Sequence, residues 1–381
     1  MKKKQFLSTL LTIALVFTMV FAGTGSVFAA ETSTGTDTIA AKSMNSSSEE
    51  APDLAELVYN ASTPDSFKVE IPKAGAVQFR ITATANSYIN FYDAKGQRIY
   101  GYGTNVEAST SDLDYKYASF PVAAAGTYTV EMASVSGDAY AAVDAFYYPS
   151  GGTPKKGTDF YGSSPNGKVA YYKITAPSTG YITVDIPKSF DGAASYQVKL
   201  FSSSKKALFK KGYESVGSSK DYKTRIGVTK GTYYVGIKTS DLAYAVNLKF
   251  TAVSEKSGST KGKAVKLSKG KTKKGIITAS QSTTSGDWYK FTISKAQKVN
   301  LEVSTLTSQG GGGGGLKFSI YSGSTSYSFG SENFNYYTPN GTLKPVSYGA
   351  GYSGNTLQPG TYYIKIQKYG DGNGYYKLKW K

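Results

Sequence analysis

The chain has 381 residues and contains neither cysteine nor histidine. Without cysteine no disulfide can hold a small extracellular scaffold together, so each folding unit must be stabilised by burial of apolar side chains. Without histidine or cysteine, Ser-His-Asp and Cys-His nucleophilic catalysis are excluded. Transition metals also lack the imidazole and thiolate ligands that they usually have in proteins. We therefore expect a protein that is not an enzyme.

Long apolar runs are absent apart from one near the N-terminus. Residues 6–22 are apolar, follow Lys2-Lys3-Lys4 and precede Val27-Phe28-Ala29-Ala30. A basic start, a short apolar core and small residues at a cleavage site predict a secretory signal peptide over residues 1–30. The alternative, a membrane anchor, is disfavoured because the run is shorter than the roughly 20 residues that a span needs. We expect a secreted, extracellular protein, associated with the cell wall or free of it, and no transmembrane segment in the mature chain.

Helical periodicity is scarce after the signal peptide, whereas alternation of apolar and polar residues is frequent. The chain has 33 Tyr and 42 Gly, a composition that suits pleated strands and tight turns. The exception is segment 52–60, where Ala, Leu and Glu are compatible with a short helix.

Three copies of one pattern follow each other along the chain. Residues 288–294 align without gaps on residues 171–177 and on residues 66–72, and a second alternating strand follows each of them after a short turn. This alternation on both sides of a turn predicts a β-hairpin with one buried face. A Gly-Thr-Tyr motif opens a later strand in every copy, beginning at Gly126, Gly231 and Gly360.

Many short strands in units of roughly 100 residues indicate antiparallel β-sandwiches. We predict an all-β protein of three tandem antiparallel β-sandwich modules, jelly-roll-like, after the signal peptide. The predicted segments are a disordered leader over 31–50, an acidic module over 51–150, and two basic modules over 151–256 and 257–381. Each module is long enough to bury its own core, so we expect independent units joined by short linkers.

The third copy carries residues that resemble a known family. They are Ala264-Val265-Lys266-Leu267, Gly275-Ile276-Ile277, Asp287-Trp288-Tyr289-Lys290-Phe291, Pro359 to Ile364 and Tyr375 to Leu378. Most of residues 262–381 is similar to the bacterial pre-peptidase C-terminal (PPC) domain, a jelly-roll-like β-sandwich related to the collagen-binding modules of clostridial collagenases. The second copy resembles this family moderately and the first weakly. The resemblance implies an accessory module that attaches to a polymer or surface, or that helps to secrete a protease, although no protease domain is present in this sequence.

Calcium binding is also implied by the resemblance, since some relatives hold calcium through carboxylates near the linker before the module. The third module has no carboxylate from residue 257 up to Asp287, so no oxygen cage is expected there. Only the first module has carboxylates at the matching place, namely Glu49, Glu50 and Asp53. We expect no cofactor, with calcium at the first module as the alternative.

Carboxylates and a glycine run are the remaining candidates for chemistry. Glycan cleavage by a carboxylate pair needs only Asp and Glu. The run Gly310–Gly315 lacks the Lys-Ser/Thr and the helix of a phosphate-binding loop, and it predicts a mobile hairpin tip. The third module has four carboxylates whose pattern predicts solvated or turn-capping roles: Asp287, Glu302, Glu332 and Asp371.

Charge is divided unevenly along the chain. The net charge of +18 comprises −8 over residues 31–150, +10 over 151–256 and +13 over 257–381, besides three lysines in the signal peptide. A surplus of this size favours a polyanionic partner, although lysines also solubilise surfaces and protect exposed strand edges. Nucleic acid is not favoured, because the chain is predicted to be exported and has no recognition motif. The candidate polyanion-binding residues are Lys205, Lys206, Lys210, Lys211, Lys271, Lys273 and Lys274.

Aromatic residues crowd the predicted loops of the third module beside amide side chains. Rings supply apolar area at low entropic cost and amides supply hydrogen bonds, a combination that suits sugar or peptide ligands. The alternative is that these rings close the ends of the sandwich. The candidate ligand-binding residues are Tyr327, Phe334, Asn335, Tyr336, Tyr337, Tyr348 and Tyr352.

Three hypotheses for function follow from these features. The leading one is a secreted, non-catalytic binding or adhesion protein attached to an anionic or polysaccharide surface, such as a cell-wall polymer, a host glycan or an extracellular matrix protein. The second is a self-assembling matrix component, in which acidic and basic modules of different molecules bind each other. The third, a glycan-active enzyme, depends on a carboxylate pair.

Overall fold

Nearly all of the chain that the computed structural model describes consists of β-strands and their connections. The described residues are 38–45, 52–111, 113–187, 195–209, 212–217, 221–239, 243–254, 257–323, 328–334, 344–349 and 357–381. The predicted signal peptide lies outside them. No helix within these ranges is long and apolar enough to cross a membrane. Three clusters of buried apolar side chains fill three β-sandwiches in succession, which confirms the predicted fold class.

The first sandwich forms one compact unit of the chain, and the second and third sandwiches together form another. The strands of the first are β1 (Thr38–Ala40), β2 (Lys42–Ser43), β3 (Leu54–Tyr59), β4 (Asp65–Ile71), β5 (Gly75–Ala83), β6 (Ser87–Tyr92), β7 (Arg98–Ile99), β8 (Asn105–Val106), β9 (Lys116–Val122), β10 (Gly126–Ser134) and β11 (Ala139–Pro149). Sheet A has the order β1-β4-β10-β6-β7 with β8 beside β6. Sheet B has the order β2-β11-β5-β9 with β3 beside β11.

In the described part of the second sandwich, eight strands form two four-stranded sheets. They are β12 (Asp159–Gly162), β13 (Ala170–Ala176), β14 (Gly180–Ile186), β15 (Ser195–Ser202), β16 (Glu214–Gly217), β17 (Tyr222–Val228), β18 (Gly231–Thr239) and β19 (Tyr244–Ala252). Sheet C has the order β13-β18-β15-β16 and sheet D the order β12-β19-β14-β17. Between the sheets the hydroxyl of Tyr172 donates to the hydroxyl of Tyr244 at 2.8 Å, so these two buried tyrosines satisfy each other's polar atoms.

The described residues of the third sandwich repeat this arrangement with one more strand. Its strands are β20 (Val265–Lys266), β21 (Thr272–Ile277), β22 (Gly286–Ile293), β23 (Asn300–Ser308), β24 (Gly314–Ser322), β25 (Ser328–Phe334), β26 (Lys344–Gly349), β27 (Gly360–Gly370) and β28 (Asn373–Trp380). Sheet E has the order β20-β22-β27-β24-β25 and sheet F the order β21-β28-β23-β26. Short 3-10 turns lie at Pro165–Gly167, Lys261–Lys263 and Gly310–Gly312.

The aligned segments of sequence occupy matching strands in the three sandwiches. The first strand of each copy pairs with the Gly-Thr-Tyr strand, as β4 with β10, β13 with β18 and β22 with β27. The second strand of each copy instead pairs with the closing strand in the other sheet, as β5 with β11. The predicted β-hairpin is therefore wrong, because the two strands face one core from opposite sheets. Alternation shows which face of a strand is buried and not which strand it pairs with.

The Gly-Thr-Tyr motif has the same structural role in each copy. The hydroxyls of Tyr128, Tyr233 and Tyr362 each donate to the backbone carbonyl four residues earlier, at 2.8, 3.0 and 2.8 Å. A tyrosine that binds back to its own chain in this way fixes the turn before a strand, as the tyrosine corner does in other β-sandwiches.

Two predictions for the start of the first sandwich differ from the structure. Segment 52–60 forms strand β3 rather than a helix, because Ala55, Leu57 and Tyr59 alternate with exposed residues and face the core. Within the predicted disordered leader, β1 pairs with β4 and β2 pairs with β11, both in parallel. Ile39 of β1 is buried, and this apolar contact stabilises the segment on the sheet.

The second and third sandwiches contact each other along edge strand β17. The backbone N–H of Gly227 donates to Oδ1 of Asn373 at 2.8 Å, and its carbonyl accepts from the N–H of Ala279 at 2.8 Å. A Cβ on Gly227 would lie 2.3 Å from the carbonyl oxygen of Ile277. The third sandwich thus satisfies backbone groups of a strand that would otherwise end the sheet. These two modules are not the independent units that the sequence predicted.

The glycine run lies at the same contact. Gly310 is buried with φ of +65°, and a Cβ on it would meet Asp371 at 2.4 Å. A Cβ on Gly311 would lie 2.1 Å from the carbonyl oxygen of Gly212 in the second sandwich. The prediction of a mobile hairpin tip is wrong, because glycine here permits two backbones to approach closely.

A buried carboxylate joins the two sandwiches beside this run. Glu214 of β16 accepts hydrogen bonds from the hydroxyls of Ser308, at 2.5 Å, and Thr224, at 3.2 Å. Backbone N–H groups of Gln309 and Gly310 also bond to it. Burial raises the pKa of Glu214 to about 7, and the hydrogen bonds oppose this rise. The glycine run therefore serves as a nest for an internal carboxylate.

Candidate functional site

Aromatic rings and lysines share the solvent-facing side of sheet E in the third sandwich. Trp288, Tyr321 and Tyr363 lie on neighbouring strands, and the rings of Trp288 and Tyr321 are 5.3 Å apart. Lys261 Nζ lies 5.0 Å from the ring centroid of Tyr363, and Lys365 Nζ lies 5.5 Å from that of Trp288. All three rings are half-buried, so part of each faces solvent. We name these five residues the third aromatic–lysine face.

The second sandwich has a similar group on the matching sheet C. The ring of Tyr171 lies 5.2 Å from that of Phe201 and 6.3 Å from that of Tyr234. Lys205 Nζ lies above two of these rings, 4.7 Å from Tyr171 and 5.6 Å from Tyr234. A turn at Ser202 holds this lysine, whose φ is +58°. Tyr171, Phe201, Tyr234 and Lys205 form the second aromatic–lysine face.

The two faces occupy the same register positions of the repeat. Trp288 aligns on Tyr171, and the cross-strand pair Tyr321–Tyr363 matches the pair Phe201–Tyr234. The lysines come from different places in the two copies, yet an ammonium group lies over the rings in both. The same combination of rings and lysine is therefore present twice, with Phe201 buried at 7% exposure in the second face and all three rings half-buried in the third.

The first sandwich has a different surface at these positions. Ser66 and Thr129 replace two of the rings, and only Tyr92 is aromatic. Glu131 stands where the third sandwich has Lys365, and it accepts from Asn90 Nδ2 at 3.1 Å and from the Tyr92 hydroxyl at 3.2 Å. The acidic module thus carries a carboxylate where a basic one carries a lysine.

A lysine over an aromatic ring combines an apolar plane with a cation. Such a contact contributes about 0.5–1 kcal/mol at an exposed site. Burial and the nearby Lys317 lower the pKa of Lys365. An anion that approached this face would relieve the repulsion between Lys365 and Lys317. The rings would pack against the flat side of a sugar.

The predicted polyanion-binding lysines lie in separate places. Lys205 belongs to the second face and Lys206 is exposed next to it, whereas Lys210 and Lys211 lie outside the described residues. The other three are on or beside β21 of sheet F: Lys271 and Lys274 are exposed and Lys273 is half-buried. The structure therefore brings one predicted lysine to the aromatic rings and three to a different sheet.

Most of the predicted ligand-binding residues lie outside the described part of the chain. These are Tyr327, Asn335, Tyr336, Tyr337 and Tyr352. Phe334 ends strand β25 of sheet E, and Tyr348 lies in β26 of sheet F, so the backbone assigns them to different sheets.

The two aromatic–lysine faces contain rings that the sequence prediction did not consider as ligand-binding. Trp288, Tyr171, Tyr234 and Tyr363 are in strands, whereas the predicted ligand-binding residues were chosen from loops of the third module. Two signals were available, since the repeat aligns Trp288 on Tyr171 and alternation assigns both to the solvent side.

The carboxylates of the third sandwich have structural partners where their side chains are described. Asp287 accepts from Ser257 Oγ at 2.7 Å and from the Tyr376 hydroxyl, and burial raises its pKa. Glu302 forms an ion pair with Lys381 at 3.1 Å, and Asp371 is buried.

Metal binding was predicted only as an alternative for the first module. Asp53 Oδ2 accepts from the backbone N–H of Ala40 at 3.0 Å, while Glu49 and Glu50 lie outside the described residues. Across the described ranges no three carboxylates cluster in a way that would hold a metal ion.

Comparison with known proteins finds distant structural likenesses. No protein-family model and no curated protein matches the chain. Among solved structures, it is similar to the pre-peptidase C-terminal domain of collagenase from Bacillus anthracis, with 20% identity and a TM-score of 0.22 over 34% of this chain and 100% of that one. It is also similar to the tandem CBM22-1-CBM22-2 domain of Paenibacillus barcinonensis Xyn10C, with 10% identity and a TM-score of 0.18 over 60% of this chain and 98% of that one. The identities and TM-scores are too low for these likenesses to bear on what the chain binds.

Proposed function

We propose that this chain is an exported, non-catalytic binding protein that attaches to an anionic polysaccharide through its two aromatic–lysine faces. The observation that carries the proposal is repetition: rings and a covering ammonium group recur at the same register positions in two sandwiches. Packing of the core does not require either feature, since the first sandwich folds with Ser66 and Thr129 at two of these positions.

Charge supports an anionic ligand. The two sandwiches that carry the faces have a net charge of +23, against −8 for residues 31–150. A positive field of this size concentrates polyanions near the surface, while the rings contribute contacts that weaken less as salt rises. Two faces on one molecule also raise the apparent affinity for a long polymer, by about 100-fold or more if both bind at once.

The test is retention of the mature protein on purified cell walls before and after removal of teichoic acid, and on insoluble polygalacturonate. The variant Tyr171→Ser/Trp288→Ser removes one ring from each face and introduces the residue that the first sandwich has there. The control Tyr102→Ser/Tyr117→Ser removes two rings of the first sandwich that are 69% and 49% exposed. We expect the first variant to lose at least about 10-fold in affinity and the control to match the native protein. Equal retention of all three proteins, or equal binding to intact and stripped walls and none to polygalacturonate, would refute the proposal.

Self-assembly is the second candidate, and Glu131 favours it. A carboxylate on the first sandwich occupies the position of Lys365 on the third. The corresponding surfaces of the first and third sandwiches therefore carry opposite charges at this position. Acidic and basic sandwiches of different molecules would then bind each other and separate as salt rises. Light scattering of the mature protein across a salt series tests this, and a mass that stays monomeric at low salt contradicts it.

A further inference from the structure

A groove of about 500 Å³ lies between the second and third sandwiches. Strands of sheets D and F line it, whereas the two aromatic–lysine faces are on sheets C and E. Tyr181 and Thr251 line it from sheet D, and Lys274, Leu306, Tyr375 and Lys377 line it from sheet F. We name it the seam groove. It exists only because the two sandwiches dock along β17.

Two lysines of the groove are directly opposite each other in the sheet. Lys274 of β21 pairs with Lys377 of β28, so both side chains project from the same face of sheet F. Their ammonium groups can therefore approach one anion in the groove from the same side. On the other side Lys377 pairs with Ser304, so its two register partners are a lysine and a serine. None of the described groove-lining residues is acidic.

Aromatic surface stands next to the lysine pair. The rings of Tyr181 and Tyr375 are 5.7 Å apart and inclined by 41°, and each comes from a different sandwich. Tyr375 is only 8% exposed, so its position is fixed by packing, while Tyr181 is half-buried. The groove therefore combines a fixed apolar wall with two adjacent ammonium groups.

We infer that the seam groove binds a single acidic sugar residue, with its anionic group between Lys274 and Lys377 and its ring against Tyr181 and Tyr375. The shared chemistry of the ligand is a sugar ring with a carboxylate or a phosphate. Two ammonium groups match one such anion, and the volume suits a unit of this size rather than a folded partner. The inference deepens the proposed function and depends on it for the source of the sugar, a unit of the bound polysaccharide.

Titration calorimetry of the full mature protein with glucuronate, glucose 6-phosphate, glucose and inorganic phosphate tests the site. We expect saturable binding of the two acidic sugars, one per chain, and at least about 10-fold weaker binding of glucose and of phosphate alone. The relative affinity of glucuronate and glucose 6-phosphate decides between carboxylate and phosphate.

Lys274→Thr and Lys377→Thr are the variants, and Lys379→Thr is the matched control. Lys379 lies two residues further along β28, and the substitution removes the same charge outside the lining of the groove. Each variant should lose at least about 10-fold in affinity for the acidic sugars while Lys379→Thr keeps it. No saturable binding to native protein, or equal losses in variants and control, overturns the inference.

Retention on polygalacturonate distinguishes this failure from failure of the proposed function. The two groove variants leave the aromatic–lysine faces intact and should still be retained. A protein that binds the polymer and no acidic monosaccharide would refute the groove alone, whereas one that binds the monosaccharide and is retained on the polymer equally well after loss of both faces would refute the faces alone.

Discussion

Ionisation of Glu214 should weaken the contact between the second and third sandwiches. Its carboxyl is buried among groups that are uncharged, namely two hydroxyls and two backbone N–H groups. Its pKa is raised from 4.5 to about 7, because burial disfavours the charged form by more than the hydrogen bonds favour it. The folded protein therefore holds this proton at pH values where the unfolded chain has released it.

The sign and size of the pH effect follow from that difference. Between pH 4.5 and about 7 the folded state binds more protons, so the free energy of unfolding falls as pH rises through this window. The cost of burying the ionised Glu214 carboxylate is absent below pH 4.5 and complete above about pH 7. Each pKa unit corresponds to about 1.4 kcal/mol, so the whole window amounts to about 3 kcal/mol.

Glu214→Gln removes the titration and keeps the size of the side chain. Compared with the native protein, the variant should gain about 3 kcal/mol of relative stability between about pH 4 and about pH 8. Urea unfolding followed by tryptophan fluorescence measures this directly. The chain has two tryptophans, Trp288 and Trp380, and both lie in the third sandwich, whose release exposes Glu214.

The control for this experiment is Glu302→Gln, a half-buried carboxylate paired with Lys381 on the same sandwich. Other buried acids such as Asp287 also titrate in the native protein, and comparison of variant with native protein cancels their contribution. If the stabilities of the Glu214→Gln variant and the native protein changed in parallel with pH, the carboxyl would not carry the shift and the reasoning would be refuted.

Two further substitutions test the packing. Gly227→Ala should cost about 1–3 kcal/mol of stability by tryptophan-monitored unfolding, because its Cβ would lie 2.3 Å from a facing carbonyl oxygen. The control Gly262→Ala, whose Cβ would have no atom within 4 Å, should leave stability unchanged. Equal stabilities of the two variants would contradict the close approach at Gly227. In the first sandwich Asp144→Ala should cost about 3–5 kcal/mol, since it leaves Arg80 charged and only 9% exposed. Thermal unfolding followed by tyrosine circular dichroism measures this loss of stability. The double variant Arg80→Met/Asp144→Leu should regain most of the lost stability. If it does not, the loss in Asp144→Ala is not due to an unpaired charge.

The sequence was sufficient for the parts of the fold that depend on local alternation. Strands such as β14, with Ile182, Val184 and Ile186 facing inward, were predictable because every second residue must be apolar when one face is buried. The Gly-Thr-Tyr motif marked matching strands correctly, since the tyrosine corner depends on residues only four apart.

Features that depend on distant partners could not be predicted in this way. The pairing of β5 with β11 rather than β4, and the contact of Gly227 with Asn373 146 positions away, are set by packing of the whole chain. The candidate site was partly predictable, because the lysine surplus and the repeat alignment pointed to the two modules that carry the aromatic–lysine faces. Which rings lie beneath which lysines depends on neighbouring strands and on turns such as the one that holds Lys205.

The repeat itself offers the strongest argument about function. Inward positions of the three copies all serve packing and stay apolar, whereas outward positions are free to differ. Here they differ in a consistent way: Ser66, Thr129 and Glu131 in the first copy stand where the third has Trp288, Tyr363 and Lys365.

If those outward residues determine binding, transferring them to the first sandwich should give it affinity for the polysaccharide. The variant Ser66→Trp/Thr129→Tyr/Glu131→Lys gives the first sandwich the third copy's rings beside its own Tyr92. Made in the Tyr171→Ser/Trp288→Ser background, it should restore at least about 10-fold of the lost affinity for polygalacturonate. The matched protein that lacks only Glu131→Lys should restore less, because the carboxylate repels the polymer. A triple variant that folds and restores nothing would mean that rings and lysine at these positions are insufficient, and that the retention arises elsewhere on the basic sandwiches.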